Sequence, residues 1–237
     1  APNFQEGEKP YETEGGDFVF DDNGDPVIQL VEGIKFILMV PTAFEMPAEG
    51  WPIVLYGHGT GGDHQSCKNS VAADLVMEAV AVICIDQPLH GARGDESWDV
   101  QFLSFNFSNP RAGRTNFRQA AVDIMNLARM VSYEGMDLEA DTVFFATNEE
   151  KTFEDEVRFD PEQVHYFGHS HGGLSGAIAF GLEPRLISGV LSGAGATTTI
   201  YPSNTPEECA YILNDSNSNY VFAEDVTQLE KLLEVRS

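Results

Sequence analysis

Between residues 51 and 191 the chain alternates short apolar runs with stretches of helical periodicity, and no other feature constrains the fold as tightly. The runs at 53–56, 80–85, 164–167 and 186–191 are brief, continuous and rich in β-formers, as strands buried on both faces are. Between them, 70–79 sets Val71, Leu75, Val76 and Ala79 on one helical face. A longer stretch, 117–133, does the same with Ala121, Ile124, Met125, Ala128 and Val131 and is expected to stop at Gly135. Strand and helix in alternation predict an α/β fold: a mostly parallel sheet with helices on both faces. With 237 residues and 42% hydrophobic content, there is material for one large core and too little for two full-sized ones.

Outside that alternation the chain is less regular. Residues 1–16 are polar, with Gly, Pro and Glu in excess, and read as an extended arm on a single domain covering 1–237. Two apolar runs, 18–20 and 27–30, flank an acidic turn and predict a hairpin. The turn has the look of part of a calcium loop but lacks the bidentate glutamate such a loop needs, so no metal is assigned to it. Residues 34–40 form another strand, stopped by Pro41, and 89–114 read as a long aromatic-rich loop. An acidic surface excursion is expected at 136–160, a last strand at 220–222 and an amphipathic helix at 226–235.

The charge is lopsided: 38 Asp plus Glu against 13 Lys plus Arg, a formal net of -25. A field of that sign repels nucleic acid and anionic membrane surfaces, which excludes nucleic-acid binding as the function. An acidic, lysine-poor surface suits high salt and a secreted or cell-envelope life. No apolar run approaches the roughly 18 residues a membrane span needs, and no signal-peptide pattern is present in the chain. Three cysteines are too few for a disulfide framework; Cys84 reads as a buried core thiol, and Cys67 with Cys209 as the pair that an exported protein would join.

Chemistry concentrates at residues 164–176, VHYFGHSHGGLSG. A β-run meets Gly168-His169-Ser170-His171-Gly172 and then continues in small helix-compatible residues, the form of a G-x-S-x-G nucleophile elbow. The flanking glycines are required because a Cβ there would strike the neighbouring strand or helix. A second piece, His58-Gly59-Thr60-Gly61-Gly62, closes the strand at 53–56. Hydrolysis of an ester passes through a tetrahedral oxyanion that needs two preorganised N–H donors. The backbone N–H groups of His171 and Thr60 are the candidates. Neither G-x-x-x-x-G-K-[ST] nor G-x-G-x-x-G occurs in the chain, so no nucleotide or other cofactor is implied. Among the remaining histidines, His58 and His90 are candidate pocket residues, while His64 reads as a surface position and His165 as a strand position.

These motifs, with the Asp86-Gln87-Pro88-Leu89-His90-Gly91 corner, make residues 34–196 resemble the α/β-hydrolases of the bacterial esterase and lipase type. The resemblance implies a serine hydrolase that cleaves small-molecule or lipid esters through an acyl-enzyme on Ser170. It also implies an acid and then a histidine on loops after later strands. Here the sequence departs from the pattern. Asp215 and Asp225 are available acids, but no histidine follows His171. The fold is accordingly expected to lack its C-terminal strands, with the acid and base supplied by a missing C-terminal segment or a second chain. The alternatives are His90 recruited as base, or a catalytically inactive hydrolase-fold protein that binds rather than cleaves.

Overall fold

The computed structural model describes residues 1–133, 157–193 and 205–215, together with 143–144, 150–151, 230 and 234. It divides into two compact units, Ala1–Ala194 and Gly195–Ser237. In the first, β1 (Pro2–Asn3) pairs antiparallel with β2 (Leu30–Val31). Then come β3 (Phe36–Met39), β4 (Trp51–Gly57), α1 (Val71–Met77), β5 (Ala81–Ile85), α2 (Val100–Phe105) and α3 (Pro110–Val131). A two-stranded piece, β6 (Val143–Phe144) with β7 (Glu150–Lys151), precedes β8 (Phe159–His169), α4 (His171–Phe180) and β9 (Leu186–Ser192). The second unit holds α5 (Pro206–Asp215). Thr205 and Glu208 cap α5 reciprocally, the backbone N–H of each meeting the side chain of the other at 2.9 and 3.3 Å.

The central sheet has the order β3-β5-β4-β8-β9. Every pairing in it is parallel except β3 with β5. Period-two alternation assigns its two faces. Trp51, Ile53, Leu55, Ala81, Ile83, Ile85, Val164 and Tyr166 pack on Ala121, Ile124, Leu127, Ala128 and Val131 of α3 and Ala179 of α4. The intervening residues Val54, Tyr56, Val82 and Cys84 pack on α1 through Ala72, with Val71, Leu75 and Val76 beside them. Helices therefore cover both faces, as the alternation predicts, and each fully buried Leu or Ile contributes about 1.5–3 kcal/mol. At the far edge, β9 has a partner on one side only among the described strands, with Ile187 and Val190 more than half exposed.

Three local expectations change. The stretch 89–114 is not one loop: Asp99 accepts the Phe102 N–H at 3.1 Å and starts α2. α3 begins at Pro110 rather than 117, because Asn109 caps it and Pro110 fits the first helical position. Its early turns are polar, so apolar periodicity misses them: Thr115, Asn116 and Gln119 are buried against the N-terminal arm. Gln119 accepts the Phe4 N–H at 3.0 Å and donates to the Pro2 carbonyl at 3.0 Å. Gln5 bonds Asn116 at 2.9 Å. The expected hairpin at 18–30 reduces to a bridge between Phe20 and Pro26 around a turn organised by Asp21.

The cysteine expectation is overturned. Cys67 is bonded to Cys84, and Cys209 is a free buried thiol. The short helical turn Ser66–Asn69 lays Cys67 on the α1 face of the sheet, where Cys84 points by strand alternation. Residues 136–142, 145–149 and 152–156 of the acidic excursion, the strand at 220–222 and Asp225 lie outside the described residues, as does most of 226–235.

One buried ionic cluster ties the arm to the core. The Arg93 guanidinium, 2% exposed, donates to Asp123 at 2.6 Å, Glu32 at 2.7 Å and the Asp86 carbonyl at 3.1 Å. Glu32 also pairs with Lys9. Removing one member of such a cluster leaves an uncompensated buried charge. Arg93→Met should therefore cost about 3–5 kcal/mol, seen as a lower urea midpoint at unchanged slope. Adding Asp123→Leu should recover much of the loss; a double variant no more stable than the single one would remove the ionic explanation.

Candidate active site

Three loops at the carboxyl ends of neighbouring strands build the site. β8 runs into α4 through Ser170, whose φ of 51° and ψ of -112° lie in a region that non-glycine residues rarely occupy. Packing holds this strain. A Cβ on Gly172 would lie 2.2 Å from the Gly57 carbonyl oxygen, and one on Gly168 would lie 2.5 Å from that of Gly172. The Tyr166 hydroxyl donates to the Gly172 carbonyl at 2.6 Å, and the Ser170 N–H to Ser192 at 2.8 Å. The serine is half-buried, and among the described residues its hydroxyl has no hydrogen-bond partner.

The loop after β4 abuts it. A Cβ on Gly59 would meet that of Ser170 at 3.3 Å, so glycine lets the two backbones approach. The His58 carbonyl accepts the Gly172 N–H at 3.0 Å, pinning the loop to the first turn of α4. His171 is the first residue of α4 and has no carbonyl a turn behind it to receive its N–H. Among the described residues neither its N–H nor that of Thr60 is donated to a carbonyl outside a helix or strand. Two backbone N–H groups thus remain without a carbonyl acceptor, one on the residue after the serine and one in the loop that abuts it.

The histidines fall into separate groups. His58, His90 and His171, one from each loop, are fully buried and pack edge to face in a column, with ring centroids 5.0 Å and 5.1 Å apart. Phe117 stacks on His171 at 4.5 Å. His58 and His90 therefore lie in the packed interior beneath the loops rather than on open space. His58 is saturated, with Nδ1 at 2.8 Å from the Gly59 carbonyl and Nε2 accepting the Gln87 N–H at 3.2 Å. His90 Nε2 and both nitrogens of His171 are buried with no partner among the described residues. His165 bonds Ser188 at 2.8 Å, well down the strand, and His169 is exposed beside Gly59. His64 corrects the sequence reading: it is less a surface residue than the partner of the fully buried Asp86, 2.8 Å away. Asp215 ends α5 in the second unit. Among the described residues no group of three His, Cys, Asp or Glu side chains is arranged to hold a metal.

No protein-family model and no curated protein matches the chain. Among solved structures, it is similar to an acetyl xylan esterase from Paenibacillus sp. R4, at 18% identity over 71% of this chain and 45% of that one, TM-score 0.42. It is also similar to acetyl xylan esterase 1 from Thermoanaerobacterium sp. JW/SL YS485, at 20% identity over 67% and 43%, TM-score 0.41. A third is the dienelactone hydrolase from Anabaena variabilis ATCC 29413, at 17% identity over 62% and 50%, TM-score 0.34. The chain spans half or less of the length of each of these.

The histidine column makes the site sensitive to acid. Burial, reinforced by the neighbouring rings, lowers His171 to about 3. Burial likewise lowers His58 to about 4 and brings His90 below its ordinary range. The unfolded chain binds these protons near pH 6.5 while the folded one refuses them, so stability falls as pH drops from about 6.5 toward 4. Each such histidine adds up to about 1.4 kcal/mol per pH unit. Urea unfolding at pH 7.5, 6.5 and 5.5 should show the decline. His171→Phe, which removes a buried ring with two unpaired nitrogens, should be no less stable at pH 7.5 and should decline less steeply. Parallel declines in the two proteins would take His171 out of the account.

Proposed function

We propose that this chain carries the nucleophile and the oxyanion donors of a serine hydrolase of the α/β-hydrolase type, acting on carboxylic esters. The observation that carries the reading is Ser170: a strained serine at a strand-to-helix junction, its hydroxyl unpartnered among the described residues, followed by His171 and abutted by the glycine-rich loop of Thr60. Ser170 Oγ attacks the ester carbonyl carbon, and a base takes its proton. The tetrahedral oxyanion rests on the Thr60 and His171 N–H groups. The bond to the alcohol oxygen then breaks, the alcohol leaves with the proton, and water releases the acid from the acyl-enzyme. Acid and base come from outside the described residues, either from a further segment of the chain or from another chain. The edge of β9 that has no partner among the described strands, with Ile187 and Val190 exposed, supports a completing segment there, since open apolar edges are ordinarily covered.

The Cys67–Cys84 bond and the net charge of -25 support a secreted or cell-envelope location, where disulfides persist. The substrate is a small-molecule or lipid ester. A second reading, an inactive hydrolase fold used for binding, is favoured by one observation: no histidine among the described residues combines a carboxylate partner with a place beside the serine.

An organophosphonate followed by peptide mapping separates the two. With the completing segment or chain supplied, labelling at Ser170, abolished in Ser170→Ala, is the expected result. For the 237-residue chain alone, nitrophenyl ester turnover should not exceed the residual level of an oxyanion hole without its base. That level is on the order of 10³–10⁴ above water. Full activity lost in His90→Ala would make His90 the base; labelling elsewhere than Ser170 would favour the binding protein.

A further inference from the structure

We propose that His64 and Asp86 are positioning residues that clamp the far end of the oxyanion loop and so aim the Thr60 N–H, an inference that rests on the role given above to that loop. Asp86 is the residue immediately after β5, and its carboxylate is fully buried. One oxygen accepts both the backbone N–H of His64 at 2.7 Å and its ring Nδ1 at 2.8 Å. The other accepts the Ala92 N–H at 2.9 Å. The corner is closed so tightly over this group that a Cβ on Gly91 would lie 2.3–2.6 Å from the carboxyl atoms, and Gly91 has the positive φ that glycine accepts. Burial pushes the Asp86 carboxyl up, but the donors from Ala92 and His64 outweigh it and hold it below the ordinary carboxylate range. It is an anion boxed between two loops.

The loop needs such a clamp. Thr60 sits among Gly59, Gly61 and Gly62, and a run so rich in glycine has no conformation of its own. Its near end is fixed at His58, whose carbonyl accepts from Gly172 at 3.0 Å and from the Gln87 amide at 2.5 Å. Within the loop the Gly62 N–H returns to the Gly59 carbonyl at 3.0 Å, and the Asp63 N–H meets the Ser66 hydroxyl at 3.0 Å. The far end is His64, and Asp86 is what holds it. Three residues on, Cys67 is bonded to Cys84 on the same strand end. The disulfide keeps the segment near β5, whereas the two bonds from His64 set its orientation. A charge-assisted bond to a buried carboxylate is stronger than a neutral one and fixes the imidazole tautomer.

The test uses the full chain and needs no turnover. Peptide-level hydrogen exchange over 57–66 is compared in the parent, His64→Ala, His64→Asn and Asp86→Asn. Each variant is first shown to be folded by its urea transition. Faster exchange of this loop in His64→Ala and Asp86→Asn, with β4 and β8 unchanged, is the expected result. His64→Asn, whose amide can still donate to Asp86, should restore part of the protection. With the completing segment or chain supplied, the rate of Ser170 phosphonylation should fall tenfold or more in His64→Ala and recover in part in His64→Asn, since loss of an oxyanion donor costs on the order of 10²–10³. Unchanged loop exchange in both His64→Ala and Asp86→Asn overturns the proposal. A parent that is never phosphonylated at Ser170 counts against the hydrolase reading alone, and the exchange comparison still decides whether the clamp exists.

Discussion

One close approach in the fold is the contact on which the site depends: the first turn of α4 crossing the end of β4 with no side chain between them. Gly172 and Gly57 meet there at a separation that admits no Cβ, and the Tyr166 ring fills the space beneath, its hydroxyl on the Gly172 carbonyl. A residue with a side chain at either glycine would push α4 off the sheet. With the helix seated this closely, Ser170 has to make the turn in a single residue, and its positive φ follows. Strain of about 1–3 kcal/mol at one residue persists because the strands and helix around it are fixed independently. The same seating brings the His58 carbonyl to the Gly172 N–H, so the serine turn and the oxyanion loop are positioned by one contact.

How much of this could be read in advance depends on whether the signal is local. The strands at the centre of the sheet are continuous apolar runs, and the elbow glycines are adjacent to the serine they serve, so both are legible. The start of α3 is not, because its first turns carry Thr115, Asn116 and Gln119, which meet partners more than 90 residues earlier in the chain. The cysteine pairing and the His64–Asp86 bond fail for the same reason. Their partners are 17 and 22 residues apart across a strand–helix–strand unit, and nothing in either local sequence announces the other. Alternation along β5 was the available clue: it places Cys84 and Asp86 on one face, the face that the Cys67 segment covers.

Electrostatics divides the molecule sharply. With only 13 basic residues against 38 acidic ones, the chain nonetheless buries Arg93, and does so beside the carboxylates of Asp123 and Glu32. The guanidinium earns its place by geometry: a planar group with several donors meets Asp123, Glu32 and the Asp86 carbonyl at once, which a lysine could not do. Through Glu32 it secures the arm, and through the Asp86 backbone it stiffens the corner whose carboxylate faces the oxyanion loop. Arm, corner and loop are therefore successive links of one buried polar chain.

The histidines complete the argument about preorganisation. Three of them pack edge to face where the three loops meet, held neutral by burial, and act as dense packing units rather than as acids or bases. That leaves each loop in contact with its neighbour through a ring: the oxyanion loop through His58, the β5 corner through His90 and the elbow through His171. An oxyanion hole works because its donors are fixed before charge develops, not because they respond to it. A base, by contrast, has to exchange protons with solvent or substrate, and a fully buried imidazole at the bottom of this column cannot do so without opening it. The three histidines that pack these loops together are thus disqualified from serving as the base of the proposed reaction.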